Sequence, residues 1–144
     1  MRLSAKAQYA CIAMLELAAN HPKAQLVQVK TIADTHGISQ RFLVQILLQL
    51  KQHGLVRSIR GAAGGYQLAR RPETISLADM IHAIDEPAPP ASVARTGLKP
   101  SPAVQAVASV LQELDARERA MLREITLADL LRRSEQSGAA TYQI

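Results

Sequence analysis

Side chains that could bind a polyanion are concentrated between residues 39 and 71. They combine hydroxyl and amide hydrogen-bonding groups with fixed positive charges, followed by a cluster of glycines. The candidate set is Ser39, Gln40, Arg41, Gln45, Lys51, Arg57, Arg60, Gly61, Gly64 and Gly65. Arginine and glutamine can make paired hydrogen bonds to guanine and adenine edges, and lysine can neutralise phosphate. These residue types therefore favour recognition of double-stranded DNA.

No set of residues of comparable strength favours catalysis or metal binding. Cys11 is the only cysteine, which excludes an intrachain disulfide, and no base that could activate it stands nearby in the sequence. The four histidines, at positions 21, 36, 53 and 82, lack the spacing of metal ligands. We therefore predict a protein that is not an enzyme and has neither a metal site nor a cofactor.

The charge of the chain is unevenly distributed. Residues 1–71 carry 10 lysines and arginines against two acidic residues, whereas residues 72–144 carry 7 against 10. A basic half attracts nucleic acid through counterion release. Charge alone leaves open a soluble basic protein with no such partner.

Helical periodicity predicts three helices in the basic half. The first runs roughly from Ala5 to Ala19 after a Ser4 cap, and the second covers about Val29 to Thr35. Gly37 ends the second helix, Ile38 is expected to be buried in the turn, and Ser39 caps a third helix that reaches about Gln52.

The third helix is amphipathic. Its predicted inner face consists of Phe42, Leu43, Ile46, Leu47 and Leu50. Its predicted outer face consists of Gln40, Arg41, Val44, Gln45, Leu48 and Lys51. This is the pattern of a helix that lies in a DNA groove.

A β-hairpin is predicted after the third helix. Leu55 to Arg60 suits a strand, and Tyr66, Leu68 and the following arginines suit the return strand. Gly61, Gly64 and Gly65 would supply the positive φ angles of the tip. A structural hairpin with no ligand is the alternative. A phosphate-binding loop is disfavoured, because no Lys-Ser/Thr pair follows the glycines.

Two short segments, 75–80 and 125–130, share the pattern of a helix start, with a hydroxyl at the cap and an aspartate three residues later. The first of these helices is expected to end near Ile84. Prolines then predict a loop over residues 85–102.

A long helix is predicted from Ala103 to Ile125. It carries an apolar stripe at a spacing of three and four: Val104, Val107, Leu111, Leu114, Met121 and Ile125. A second copy of the chain is the simplest partner for this stripe, so we predict a homodimer. Packing of the stripe against the first helix is the alternative.

Several segments together resemble one known family. They are MRLS at the start, Lys6 and Tyr9 in the first helix, IADTHGIS, LKQHGLVRSIRG, GGYQLAR, ISLADMIHAIDEP and ITLADLL. Their order and spacing are similar to those of the Rrf-two family of bacterial winged-helix regulators, which includes the iron–sulfur regulators IscR and NsrR.

The resemblance implies a mainly α fold: a winged helix-turn-helix with a two-stranded β-wing and a long C-terminal dimerisation helix. It implies a DNA-binding domain over 1–86, a loop or linker over 87–102, and the dimerisation helix with a C-terminal helix over 103–144. Helix 39–52 would enter the major groove, with Ser39, Gln40, Arg41 and Gln45 facing bases or phosphates. Arg60 and the glycine tip would reach the minor groove.

The chain departs from the family pattern in three places. Many members hold a cluster with three cysteines before the long helix, and this segment contains none, so we predict no cluster. Val44 stands where many members carry glutamate, which alters the expected base preference. The wing reads GAAGG where PGGG is usual, so its insertion into the groove is expected to differ.

The sequence thus predicts a cytoplasmic, non-membrane transcriptional regulator, with repression as the expected mode, that binds a pseudo-palindromic operator as a homodimer without an iron–sulfur cluster. Two other functions remain open: a dimeric adaptor that binds protein, and a redox regulator that uses Cys11. A small-molecule effector could bind between loop 86–102 and the long helix.

Overall fold

The computed structural model describes residues 3–90, 92–93 and 96–142, with side chains through residue 138. These residues form a mainly helical fold with one antiparallel hairpin. The elements are α1 Ala5–Ala19, α2 Val29–His36, α3 Gln40–Gln52, β1 Val56–Ile59, β2 Gly65–Leu68, α4 Leu77–His82, α5 Pro102–Glu124 and α6 Leu127–Tyr142. Single turns of 3₁₀ helix cover His21–Lys23 and Pro72–Thr74. The winged helix-turn-helix fold is confirmed.

Helix α1 lies at the centre of the fold. The hydroxyl of Ser4 caps it by accepting from the Ala7 amide at 3.0 Å, as the sequence predicted. Its buried face consists largely of alanines together with Met14 and Leu17. Small side chains let neighbouring helices approach closely, and α3, α4 and α6 all pack against α1.

The turn between α2 and α3 has the predicted chemistry. Gly37 has φ +67°, Ile38 is buried, and the Ser39 hydroxyl accepts from the Phe42 amide at 3.5 Å. The predicted inner face of α3 is buried apart from Phe42, which is 40% exposed. The prediction that Phe42 faces inward is wrong, because the periodicity does not resolve which residues lie at the edge of a helical face. Its ring instead meets Tyr9 of α1 edge-on, with ring centroids 6.0 Å apart.

The wing is anchored to the segment before α2. The amide of Val27 donates to the carbonyl of Tyr66, and the amide of Tyr66 donates to the carbonyl of Val27, each at 2.8 Å. The return strand is shorter than predicted, because β2 ends at Leu68. Arg70 instead reaches the Thr74 carbonyl and approaches Asp79, with 3.8 Å between Nη1 and Oδ2. The chain has therefore left the hairpin before the arginines.

Both predicted helix starts are confirmed. Ser76 and Asp79 form a reciprocal capping box at the start of α4, with hydrogen bonds of 3.0 and 2.9 Å. Thr126 and Asp129 form the same pair of bonds at the start of α6, at 2.9 and 3.0 Å. The backbone hydrogen bond from Thr126 is the main cause of a lowered pKa at Asp129.

The two capped starts also pair with each other. The amide of Leu77 donates to the carbonyl of Ile125, and the amide of Leu127 donates to the carbonyl of Ile75, each at 2.8 Å. This backbone bridge joins the C-terminal end of α5 to the winged-helix part of the chain.

Helix α5 packs on the fold near its C-terminal end. Leu122 is buried against Ala78 and Ile81 of α4, a contact that the sequence analysis missed. The helix begins one residue earlier than predicted and ends before Ile125. No helix in the described part of the chain is both long and apolar enough to cross a bilayer.

Candidate nucleic-acid interface

The outward face of α3 presents the predicted polar side chains to solvent. Gln40, Arg41 and Gln45 are all exposed on the first two turns of the helix. The side-chain oxygen of Ser39 caps the helix by accepting a hydrogen bond from the amide of Phe42. The capped first turn fixes the direction of the helix, so the side chains that follow are presented from a defined surface.

Lys51 connects the recognition helix to the wing. Its Nζ donates to the hydroxyl of Ser58 on β1 at 2.8 Å. A lysine side chain has considerable rotamer entropy, and this hydrogen bond restricts it. The sequence analysis did not identify Ser58 as a partner of Lys51. Ser58 follows Arg57 on β1, and successive side chains of a strand point to opposite faces, so the two side chains lie on opposite faces of the hairpin.

The three wing glycines are needed for different reasons. Gly61 has φ +114° in open space, as predicted. Gly64 is not among the described glycines with positive φ, so the predicted reason is wrong there. A Cβ at Gly64 would lie 2.0 Å from the Ile59 carbonyl oxygen, and one at Gly65 would lie 2.8 Å from that of Val27. Close approach of two backbones excludes a side chain at both positions.

Two arginines flank the tip of the wing. Arg57 stands opposite Gln67 in the hairpin, and Arg60 follows β1; both are exposed. Lys51 and Arg60 line one groove together with all three wing glycines. The structure therefore brings the C-terminal end of α3 and the wing together, as the sequence analysis required.

The cations of this surface have no acidic partner in the part of the chain that the structure describes. Among the residues that the structure describes, no aspartate or glutamate pairs with Arg41, Lys51, Arg57 or Arg60. The acidic residue Glu16 is engaged elsewhere, with 2.8 Å between its Oε1 and Nε2 of His36. Unpaired positive charge on one surface is what a polyanion requires.

The predicted stripe on α5 is largely exposed in the single chain. The exposed members are Val107, Leu111, Leu114 and Met121, and Val104 is half-buried. Ile125 does not belong with them, because it follows the helix and its carbonyl accepts from Leu77. Val110 was missed, although it is 55% exposed and lies one turn from Leu114.

A small cleft lies where the sequence analysis placed an effector. It is formed by α4, residues 85–88 and α5, and has a volume of about 200 Å³. Arg119 lines the cleft. Its Nε donates to Oδ2 of Asp115 at 3.0 Å, and its Nη2 donates to the carbonyl of Ala88 at 3.2 Å. Sites for organic ligands usually span roughly 300–1,000 Å³. Residues 91, 94 and 95 of the loop lie outside the described residues.

The carboxylate of Asp85 helps to shape this region. It accepts from the amide of Ser4 at 3.1 Å and from the hydroxyl of Ser4 at 2.7 Å. The partner is 81 residues away in the sequence, so no local pattern indicates the contact.

Cys11 has the character of a packed apolar residue. It lies between the main core and the small cluster around Leu122. Burial raises the pKa of its thiol to about 11. A thiol with that pKa is almost entirely protonated at neutral pH, and the thiolate is the reactive form.

Comparison with known proteins agrees with this architecture. Residues 3–133 match the model of the Rrf2 family, described as iron-dependent transcriptional regulators. A Mycobacterium tuberculosis protein named as an HTH-type transcriptional regulator, Rv1287, is 44% identical over 133 residues, covering 90% of this chain and 81% of that protein.

Two solved structures are also similar. The first, of CymR, the global cysteine regulator of Bacillus subtilis, has a TM-score of 0.81 at 32% identity, with 92% of this chain and 98% of that chain covered. The second, of IscR from T. potens, has a TM-score of 0.74 at 34% identity, with 95% of this chain and 90% of that chain covered. With the capped recognition helix and the glycine wing, these matches show that the chain belongs to the Rrf2 family of helix-turn-helix transcriptional regulators.

Proposed function

We propose that this regulator binds double-stranded DNA in a sequence-specific manner. The observation that carries the proposal is the set of unpaired cations on α3 and the wing, beside exposed glutamines on α3. In this proposal α3 occupies the major groove, where Arg41 and Gln45 hydrogen-bond base edges. Lys51 and Arg57 neutralise phosphates, and Arg60 enters the minor groove with the tip 61–65.

We propose further that the active form is a homodimer on a pseudo-palindromic operator. The exposed stripe of α5 supports this, since its apolar area would be removed from water in a second copy. Two-fold symmetry of the protein is then matched by two-fold symmetry of the site. A dimer bound at an operator acts most simply as a repressor.

The proposed regulator works without an iron–sulfur cluster, although its family is described as iron-dependent. The residues do not fit such a group, because a cluster needs thiolate ligands and the loop 87–102 has no cysteine. Anaerobic addition of iron and sulfide should leave the protein colourless and its DNA affinity unchanged. A stable brown protein would contradict this part of the proposal.

Selection of bound duplexes from a random DNA pool tests the function directly. We expect one enriched motif with two-fold symmetry. Binding to that motif should weaken steeply with salt, with a slope of about −0.9 for each phosphate neutralised. A dimeric adaptor for proteins predicts no enrichment and a weak dependence on salt.

Three variants then assign roles within the interface. Arg41→Ala and Gln45→Ala should relax the preference at particular base pairs, at a cost of about 1–3 kcal/mol for each bidentate contact. Lys51→Ala should weaken binding to all sequences equally and reduce the salt slope. Equal losses on the selected and the random duplex for all three variants would contradict the placement of α3 in the major groove.

A further inference from the structure

The recognition surface contains an apolar side chain that phosphate binding and hydrogen bonding leave unexplained. Val44 lies on the second turn of α3 and is 45% exposed, whereas the core-facing residues of the same helix are fully buried. Its neighbours on the outward face are the exposed polar residues Gln40, Arg41 and Gln45 and, one turn farther on, the exposed Leu48. Val44 belongs to neither of the described core clusters and lies within the proposed DNA-reading surface.

The chemistry of the major groove limits what Val44 can contact favourably. Guanine, adenine and cytosine present hydrogen-bonding groups there, and thymine alone adds a C5 methyl group. A valine against a polar base edge would remove that edge from water without replacing its hydrogen bonds. A valine against a methyl group would bury apolar surface on both sides.

The rigidity of valine strengthens this argument. A β-branched side chain in a helix has one strongly preferred χ1 rotamer, so its two methyl groups are held in place before DNA binds. The side chain is also short, so it can contact only a group that projects into the groove towards the helix. The thymine methyl group does so.

We infer that Val44 is a specificity-determining residue that selects a thymine in each half-site by contact with its C5 methyl group. The inference rests on the proposed function and adds a readout that works without hydrogen bonds. Burial of one methyl group corresponds to about fourfold in affinity. The preference for thymine over a base without the methyl should be of that size.

Replacement of thymine by deoxyuridine isolates the effect, because it removes only the methyl group. The probe is the duplex recovered by selection, with each thymine replaced in turn by deoxyuridine. We expect one thymine in each half-site whose replacement weakens binding of the unmodified protein about fourfold. With Val44→Ala the same replacement should have no effect, and a thermal melt should show that the variant is folded.

Leu48→Ala is the matched control, since Leu48 is also apolar and 51% exposed but lies one turn farther from the start of α3. This variant should keep the preference for thymine over deoxyuridine. The inference fails if specific binding is insensitive to deoxyuridine at every position, or if Leu48→Ala removes the sensitivity and Val44→Ala does not. The proposed function itself would be contradicted by a selection that enriches no sequence.

Discussion

The winged-helix surface and helix α5 differ in the pairing of their charged side chains and in the burial of their apolar side chains. Near α3 and the wing, Arg41, Arg57 and Arg60 have no acidic partner among the described residues. On α5, Arg117 pairs with Glu113 at 2.8 Å, and Arg119 pairs with Asp115 at 3.0 Å, each one helical turn away. A carboxylate next to an arginine compensates most of its positive charge, so the pair attracts a polyanion only weakly. The number of basic residues in a region is therefore not enough to identify a DNA-binding surface.

Apolar side chains show the reverse distribution. The apolar residues of α1 and of the inner face of α3 are mostly buried, whereas α5 buries only Leu122 and exposes a stripe that includes Leu111 and Leu114. Apolar residues on a helix with few neighbours in its own chain indicate a protein partner. In the proposed function the first surface binds DNA and the other binds a second subunit, and each proposal can be tested separately.

The largest effect is expected from charges placed in the α5 stripe. Leu111→Glu combined with Leu114→Glu should produce a monomer at micromolar concentration in sedimentation equilibrium. Affinity for a two-half-site duplex should then fall roughly 100- to 10,000-fold, because the second half-site is no longer bound at high effective concentration. Gln112→Glu adds one negative charge at an exposed position outside the stripe and should change neither property. If the double variant is still a dimer, the stripe does not form the dimer interface.

A smaller effect is expected from Gly64→Ala. The new Cβ would meet the Ile59 carbonyl oxygen at 2.0 Å, so the backbone of the wing must move. Overpacking of this kind costs about 1–3 kcal/mol, and thermal unfolding should show it as a lower melting temperature. DNA affinity should fall through loss of the wing. Ala63→Ser, at an exposed neighbour in the same loop, serves as the control. A variant with unchanged melting temperature and affinity would show that the wing adapts easily.

Removal of a single arginine tests the difference in ion pairing. Arg60→Ala should make the salt slope of DNA binding shallower by up to about 0.9, because a cation that enters the minor groove also displaces counterions from the nearby phosphates. It should also weaken sites with A·T-rich flanks more than sites with G·C-rich flanks, because narrow minor grooves concentrate negative potential. Arg117→Ala should leave the slope unchanged and cost about 0.3–0.5 kcal/mol of stability, as for an exposed helical pair. If the salt slopes of the two variants are equal, the arginines of the wing and those of α5 do not differ in their contribution to DNA binding.

The smallest effect is expected from oxidants and alkylating agents acting on Cys11. Its thiol pKa of about 11 leaves very little thiolate at pH 8. Alkylation by iodoacetamide, followed by mass spectrometry, should therefore be about 100-fold slower in the native protein than in denaturant. DNA affinity should not respond to mild oxidant. Fast alkylation with loss of DNA binding would instead support the redox regulator.

Local patterns were sufficient for the elements and for most of the proposed DNA surface. Caps at Ser4, Ser39 and Ser76, the glycine at 37 and the spacing of apolar residues act within a few positions, so the sequence displays them directly. The outward face of α3 follows from the same periodicity. The cap, the turn and the exposed side chains therefore agreed with expectation without knowledge of the tertiary contacts.

Contacts between distant segments decided the rest. Asp85 binds Ser4 across 81 positions, and the carbonyl of Val27, before α2, excludes a side chain at Gly65. Leu122 lies on the long helix outside its predicted apolar stripe, and it completes a small core with α4. Periodicity fixes the direction in which a side chain points from its own helix, whereas the group that it meets depends on packing. The sequence by itself therefore determined the elements and the outward-facing positions of α3, whereas only the tertiary structure decided which of the described charges lack an acidic partner and which apolar surface stays exposed.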